Sequence, residues 1–213
     1  MRAYTPNIQA KRDKRKEDIA RVAAQLFQEK GYDGVSLLDI AGKMKLGRTT
    51  LYEYFRSKHE VLAFHLVREM RIYHRRVTHI FEDAKSFRDT VEEFLDIQLA
   101  YGATHAGFSH LLRALERDAS RLAKRTKAQI VELHGEVYDL MTNAIQAAIV
   151  RGEIRNVHAG LLMQLLVNAT SLPIRGTGGT DRPAQAILDV FWRGIGKRRM
   201  RGRATRWGGL PKK

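Results

Sequence analysis

Apolar residues recur every three or four positions along this chain, and almost no stretch shows the alternation that is typical of strands. This spacing puts apolar side chains on one face of a helix. Proline stands only at positions 6, 173, 183 and 211, so a long interval is free of helix breakers. The pattern therefore predicts an all-α protein. Its first long helix carries Ile19, Val22, Ala23, Leu26 and Phe27 on one stripe and ends at Gly31.

Three short helical signals follow between Ser36 and Leu62. Ser36 and Asp39 have the spacing of a capping box, in which each side chain accepts a backbone N–H from the other residue. The helix that starts there is predicted to bury one stripe, formed by Leu37, Ile40, Ala41 and Met44.

The second signal has an apolar side and a polar side. Gly47 is placed to cap it, and Leu51 and Phe55 face inward from positions four residues apart. The polar side of this predicted helix carries Arg48, Thr49, Thr50, Tyr52 and Tyr54, which are free to contact a partner. Such groups contact phosphates and base edges, so the pattern indicates a helix-turn-helix whose second helix reads DNA.

A second capping box, Ser57 with Glu60, starts the third helix. Lys58 then lies in a first helical turn, where free N–H groups and the helix dipole favour a phosphate. No glycine or proline occurs from Lys58 to Tyr101, so one helix is predicted to run from the DNA-binding unit into the rest of the protein. We place its end near residues 83–86, where Ser86 and Asp89 form another capping box.

These residues resemble the DNA-binding domain of the TetR/AcrR family of bacterial transcriptional regulators. The resemblance covers about 45 residues, from Ile19 to Leu62. It rests on Asp39-Ile40-Ala41, Leu51-Tyr52, Tyr54-Phe55 and Ser57-Lys58, which stand in the family's order and spacing. The resemblance implies a three-helix helix-turn-helix domain followed by a larger helical domain for ligand binding and dimerisation.

Two positions depart from the family pattern. Lys45 stands where the family usually has a glycine in the turn between the two helices, and Gly47 stands where it usually has a serine cap. A left-handed backbone at Lys45 costs roughly 1 kcal/mol relative to glycine, which leaves open a turn shifted by one residue.

The polar side and the resemblance together predict contacts with double-stranded DNA at a palindromic operator. Arg48 and Thr49 are expected at base edges, with Arg48 preferring guanine, and the other side chains mainly at phosphates. The predicted set is Ser36, Lys45, Gly47, Arg48, Thr49, Thr50, Tyr52, Tyr54 and Lys58.

Four segments are predicted along the chain. They are a basic N-terminal arm (1–17), the helix-turn-helix domain (18–60), a helical ligand-binding and dimerisation domain (61–197) and a basic C-terminal tail (198–213). Beyond the long helix, further helices are predicted at about 87–105, 108–116, 120–151, 157–172 and 183–197. The segment IRGTGGTDRP is expected to be a flexible connector, since no strand precedes it and no Gly-Lys-Ser/Thr follows.

The last two predicted helices are apolar over a wide face. In the TetR family, two such helices from each subunit form a four-helix dimer interface. The resemblance therefore implies a homodimer that uses Leu161, Leu165, Ala169, Ile187, Val190 and Phe191. An ordinary core within one subunit is the alternative.

Polar side chains in apolar surroundings of the middle helices suggest a ligand site. Pockets for small molecules are mostly apolar with a few convergent polar groups, and the TetR family binds a small inducer in this region. The candidates are Gln98, Tyr101, His105, His134, Tyr138, Met141 and Asn168. We expect a small apolar or amphipathic effector of unknown identity, and the alternative for each residue is a satisfied core position.

The net charge of +15 is concentrated at the two ends. Residues 1–17 carry +4 and residues 197–213 carry +8, so the body carries only +3. Two interpretations stay open: the ends are disordered and solubilising, or Lys11 to Lys16 contact phosphates or the minor groove.

The sequence gives little support for a disulfide-bonded protein, a metalloprotein, an enzyme or a membrane protein. The chain has no cysteine, which excludes disulfides, thiolate metal sites and a cysteine nucleophile. His59 and His65 are six residues apart, with Ala63 where a zinc-protease helix has its second histidine. We expect no metal, no cofactor and no catalytic site. The N-terminus lacks an apolar signal core and no apolar run approaches about 18 residues, so a cytoplasmic protein is expected.

The sequence thus predicts a homodimeric repressor that a small molecule releases from its operator. The alternative is a DNA-binding protein of the same fold that has no inducer and acts through a protein partner or in chromosome organisation. A filled helical core would favour this alternative, and a well-formed internal cavity would argue against it.

Overall fold

The computed structural model describes residues 5–83, 86–104, 111, 113, 114, 117, 120–171 and 182–195. Within these ranges the chain forms eight α-helices and no β-strand, which confirms the all-α prediction. The helices are α1 (Thr5–Lys30), α2 (Leu37–Lys43), α3 (Arg48–Tyr54), α4 (Lys58–Asp83), α5 (Phe87–Thr104), α6 (Arg121–Val150), α7 (Ala159–Ser171) and α8 (Pro183–Ile195).

The first three helices pack around the predicted stripe of α1. Ile19, Ala23 and Phe27 are fully buried there, together with Ile40 of α2 and Leu51 of α3. Helix α1 contacts both α2 and the start of α4. It ends before Gly31, whose φ of +76° is the left-handed conformation expected after a helix.

Helix α1 is longer than the sequence pattern suggested. It begins at Thr5, so residues 5–17 of the predicted N-terminal arm form its first three turns. Pro6 is compatible with this start because proline fits the first turn of a helix. The Gln9 side chain donates to the Asp13 carboxylate one turn later at 2.9 Å. The basic residues from Lys11 to Lys16 therefore lie on a helix instead of an extended or disordered end.

Helix α4 joins the first three helices to the rest of the protein, as predicted. Near its start Val61, Leu62 and Leu66 are buried, and α1 packs there. Along its length α4 also packs on α5 and α6. The His74 side chain lies 2.6 Å from the Glu136 carboxylate of α6 and ties the two helices together.

The later helices also follow the predicted boundaries closely. Ser86 caps α5 with a hydroxyl that accepts the Asp89 N–H at 3.2 Å, and Gly152, with φ +74°, follows the end of α6. Pro183 is the first residue of α8. Most of the helix predicted at 108–116 and of the connector IRGTGGTDRP, and all of the predicted tail 198–213, lie outside the described residues.

Helices α7 and α8 both pack on α5. They bury Leu162, Leu166 and Leu188 and complete one continuous core. Arg88 of α5 holds α8 through an ion pair with Asp189 at 2.6 Å. In the part of the chain that the structure describes, no helix is both long enough and apolar enough to cross a bilayer.

Candidate nucleic-acid interface

The predicted capping box at the start of α2 is present. The Ser36 hydroxyl oxygen accepts the Asp39 N–H at 3.2 Å, and the Asp39 carboxylate accepts the Ser36 N–H at 2.8 Å and its O–H at 2.6 Å. These bonds favour the ionised form, so the Ser36 side chain holds the pKa of Asp39 below its usual value. The beginning of α2 is therefore fixed by local bonds.

The turn between α2 and α3 is not shifted away from Lys45. Lys45 itself adopts the left-handed conformation, with φ +55°. The Leu46 N–H donates to the Ala41 carbonyl at 2.9 Å and closes the turn in the manner of a Schellman motif. Lys45 thus adopts the left-handed backbone conformation that glycine adopts most easily.

Helix α3 divides as the sequence predicted. Gly47 is its N-cap and supplies no side-chain bond, while Leu51 and Phe55 are buried. Arg48, Thr49 and Thr50 are exposed, and Tyr52 keeps 42% of its surface accessible. The Arg48 guanidinium lies 5.6 Å from the centre of the Tyr52 ring. Helix α3 therefore exposes a face that carries the positive charge of Arg48, while its opposite side is packed in the core.

The basic start of α1 reaches the other end of α3. The Arg12 guanidinium donates to the Glu53 carbonyl oxygen at 3.1 Å and lies 5.9 Å from the centre of the half-buried Tyr54 ring. This bond satisfies a carbonyl in the last turn of α3, where helices lack acceptor partners. Sequence reasoning did not single out Arg12, because nothing in the run of basic residues shows which one reaches α3.

Lys58 lies in the first turn of α4, as predicted, but its side chain points to backbone carbonyls of the preceding segment. Its ammonium group donates to the carbonyl oxygens of Tyr32 at 3.1 Å, Asp33 at 3.3 Å and Val35 at 3.0 Å. A lysine has three N–H donors, and all three are used here. The prediction that Lys58 contacts a phosphate has no support in this arrangement.

The capping box at the start of α4 is only half formed. The Ser57 hydroxyl oxygen accepts the Glu60 N–H at 3.2 Å, as predicted. The Glu60 carboxylate, however, accepts the N–H of Arg56 at 2.8 Å and not that of Ser57.

The predicted ligand residues differ in their exposure. Tyr101 packs against Tyr73 with ring centres 4.9 Å apart, and Met141 is fully buried. Burial raises the pKa of both tyrosines above their usual value. Gln98 is half-buried, whereas His134, Tyr138 and Asn168 are exposed, and His105 lies outside the described residues. An open groove of about 460 Å³ lies beside α3, between residues 33–39 and 56–58.

The predicted dimer residues form an exposed apolar face on α7 and α8. Leu161 and Leu165 are 58% and 47% exposed, and Val190 is 74% exposed. Ala169, Ile187 and Phe191 are half-buried at its edge. The alternative of an ordinary core applies to their neighbours Leu162, Leu166 and Leu188, which are buried.

Two histidines of α4 contact neighbouring polar side chains. His59 Nδ1 is 2.8 Å from the Tyr32 hydroxyl, and His65 Nδ1 is 4.0 Å from the Glu69 carboxylate. Over the described ranges, no three histidine, aspartate or glutamate side chains are grouped to hold a metal ion.

A family model described as bacterial regulatory proteins, tetR family, matches residues 19–63. These residues run from the buried stripe of α1 through α2 and α3 to the start of α4. Residues 19–63 thus match the DNA-binding domain of the TetR family.

Several proteins that are similar to this chain are named as transcriptional regulators. An HTH-type transcriptional regulator of Staphylococcus aureus (strain MRSA252) is 27% identical over 125 residues, which are 59% of this chain and 66% of that protein, just under two thirds of its length. The ketosteroid transcriptional regulator KstR2 of Mycobacterium tuberculosis matches with a TM-score of 0.67 and 19% identity, over 86% of this chain and 96% of KstR2. AibR, in complex with isovaleryl coenzyme A and operator DNA, matches with a TM-score of 0.65 and 16% identity, over 83% and 97%. At these identities the two structures show that the fold is shared.

Proposed function

We propose that this protein is a transcriptional regulator that binds double-stranded DNA through α3. The observation that carries the proposal is the exposed face of Arg48, Thr49, Thr50 and Tyr52 on a helix whose other side is buried through Leu51. A short helix fixed in this way presents its first residues to a major groove. The relatives named as transcriptional regulators and the operator complex of AibR support the same function.

Each group has a part in this proposal. Arg48 and Thr49, in the first turn of α3, read base edges, and Arg48 matches the two acceptors of guanine. Thr50, Tyr52 and Tyr54 bind phosphates, together with Lys45 and the backbone at Gly47. The predicted Ser36 contact is left out, because its N–H and O–H both donate to Asp39. The exposed Lys11 and Lys14 of α1 add non-specific attraction to the DNA backbone.

The protein acts as a homodimer on a palindromic operator. Two recognition helices must lie about 34–36 Å apart to enter successive major grooves. The exposed Leu161, Leu165 and Val190 on α7 and α8 support dimerisation, since contact with a second copy would remove these apolar side chains from water. A small molecule bound among the later helices would shift α4 and change the separation of the two α3 helices. The isovaleryl coenzyme A bound to AibR supports such an effector.

Selection from random DNA tests the function. The purified protein should enrich a palindromic sequence, and members of a metabolite library should lower its affinity for that sequence. Arg48→Ala should weaken binding by about 1–3 kcal/mol and relax the preference at one base pair in each half-site. The affinity of each variant is measured by fluorescence anisotropy on selected and random DNA.

Lys124→Ala is the matched control, because Lys124 is an exposed basic residue on α6. It should leave both affinities unchanged. If Arg48→Ala lost affinity equally on selected and random DNA, Arg48 would bind phosphate and not a base.

A second candidate is a DNA-binding protein of this fold without an inducer, acting through a protein partner or in chromosome organisation. The exposure of His134, Tyr138 and Asn168 favours it, because most of a bound small molecule is buried in its pocket. The metabolite library separates the two candidates: DNA binding that no metabolite changes, together with retention of a second protein on the DNA, would favour this one.

A further inference from the structure

The start of α4 is bound to the α1–α2 turn (residues 31–36) by the side chain of Lys58. Its ammonium group donates to three carbonyl oxygens of that turn, at distances of 3.0, 3.1 and 3.3 Å. Hydrogen bonds from a charged donor are stronger than neutral ones, and this group is half-buried. The contact therefore constrains the turn more than an exposed ion pair would.

An aromatic side chain completes the same contact. The Lys58 ammonium lies 4.7 Å from the centre of the Tyr32 ring, a distance at which a cation is attracted to the ring face. The buried Tyr32 packs on Phe27 of α1 with ring centres 5.1 Å apart. Its hydroxyl is 2.8 Å from Nδ1 of His59, the next residue of α4. The end of α1, the turn and the start of α4 are thus one packed unit.

The α1–α2 turn leads directly into the DNA-reading helices. Its last residue, Ser36, caps α2, and α2 carries α3. The Arg117 guanidinium, from the segment between α5 and α6, also contacts the turn through the Asp33 carboxylate at 3.2 Å. A change in how α4 holds this turn would change the direction in which α3 points.

We propose that Lys58 is a positioning residue that fixes the angle between α4 and the pair α2 and α3, and that it binds no phosphate itself. The proposal deepens the DNA-binding function and rests on it. Lys58 acts on affinity by holding α3 in the orientation that fits a major groove.

Lys58→Met tests the proposal, because methionine retains much of the aliphatic side chain and lacks the three donors. Lys124→Met, on the exposed side of α6, removes the same charge without touching the turn. We expect Lys58→Met to bind selected DNA at least tenfold more weakly than wild type and Lys124→Met to bind it equally well. Both variants are measured well below their melting temperatures, with helicity checked by circular dichroism.

The salt dependence separates positioning from a direct phosphate contact. Each phosphate contact on duplex DNA contributes about −0.9 to the slope of log affinity against log salt concentration. We expect Lys58→Met to keep the wild-type slope although its affinity is lower.

A distance measurement reports the position of the helices without DNA. The chain has no cysteine, so cysteines placed at the exposed positions Lys43 of α2 and Ala128 of α6 can carry spin labels. In labelled chains diluted with unlabelled chains, Lys58→Met should shift or broaden the distance distribution between the two labels. Lys124→Met should not.

Two results would overturn the proposal. A slope reduced by about 0.9 in Lys58→Met would make Lys58 a phosphate contact. Unchanged affinity and distances with only a lower melting temperature would make its role purely stabilising. If the wild-type protein selects no DNA sequence, the proposed function fails, and the distance measurement by itself then decides whether Lys58 positions α2.

Discussion

At the scale of the residue, Lys45 combines strain with exposure. Among the described residues it is the one non-glycine with a positive φ, at +55°. The cost arises because Cβ comes close to the following carbonyl in this conformation. Its side chain is exposed in the turn just before α3. A basic side chain there is available to a phosphate, which is the contact that the proposed function gives to Lys45.

We expect Lys45→Gly to stabilise the fold. Glycine removes the strain at positive φ but loses more backbone entropy on folding, so the net gain is up to about 1 kcal/mol. Lys43→Gly, in the last turn of α2, should instead destabilise by about 0.5–1 kcal/mol because its backbone is helical. Urea denaturation measures both. A loss of stability in Lys45→Gly would show that the lysine side chain stabilises the turn by more than the strain costs.

At the scale of the element, the caps decide where the short helices begin. Helix α2 has seven residues, and helices this short are not stable by themselves in water. Its capping box therefore matters more than a cap on a long helix. The serine half of this pattern recurs at α6, where the Ser120 hydroxyl oxygen accepts the Ala123 N–H at 3.1 Å. At α7 the cap is a histidine: His158 Nδ1 accepts the Leu161 N–H at 3.2 Å.

Ser36→Ala should destabilise the fold by about 1 kcal/mol near neutral pH, since it removes an N-cap. The effect should also depend on pH. Ser36 lowers the pKa of Asp39, so the bonded carboxylate stabilises the wild type fully above the ordinary value of 3.8. That contribution is lost as the pH falls through the lowered pKa of the folded state. Denaturant unfolding of both proteins between pH 7 and pH 2 should show the difference shrinking, and a constant difference would mean that the Asp39 bonds contribute nothing.

At the scale of the whole molecule, the exposed face of α7 and α8 is the feature that a single chain leaves unexplained. Leu162 and Leu166 point into the core, while Leu161 and Leu165 on the same helix remain largely exposed. A second copy of the chain would cover them. This face lies far along the chain from the DNA-binding helices but is joined to them through α5 and α4.

Leu165→Glu should convert the proposed dimer to a folded monomer. Leu165 is 47% exposed in one chain, so a charge there leaves the subunit's own core intact. In a dimer interface the same charge would be buried without a partner, which is strongly unfavourable. Sedimentation velocity should show a monomer with weak affinity for selected DNA. Val131→Glu, at a 61% exposed position on α6, is the control and should stay dimeric. A dimeric Leu165→Glu would place the interface elsewhere.

Much of the fold was set by short-range patterns in the sequence. The spacing of Ser36 and Asp39 determined where α2 begins, and Leu51 and Phe55 determined which side of α3 is buried. The capping spacing of Ser86 and Asp89 placed the end of α4 just before residue 86. These features depend on interactions within one helix or one turn, so a local pattern is enough to predict them.

Only the tertiary structure decided which polar groups meet. Lys58 and the carbonyl of Tyr32 are 26 residues apart, and Arg12 and the carbonyl of Glu53 are 41 apart. Both bonds depend on how whole helices dock, and a pattern in either segment says nothing about the other. The exposure of His134, Tyr138 and Asn168 has the same origin: periodicity places a residue on a helix face, but neighbouring helices decide whether that face is covered.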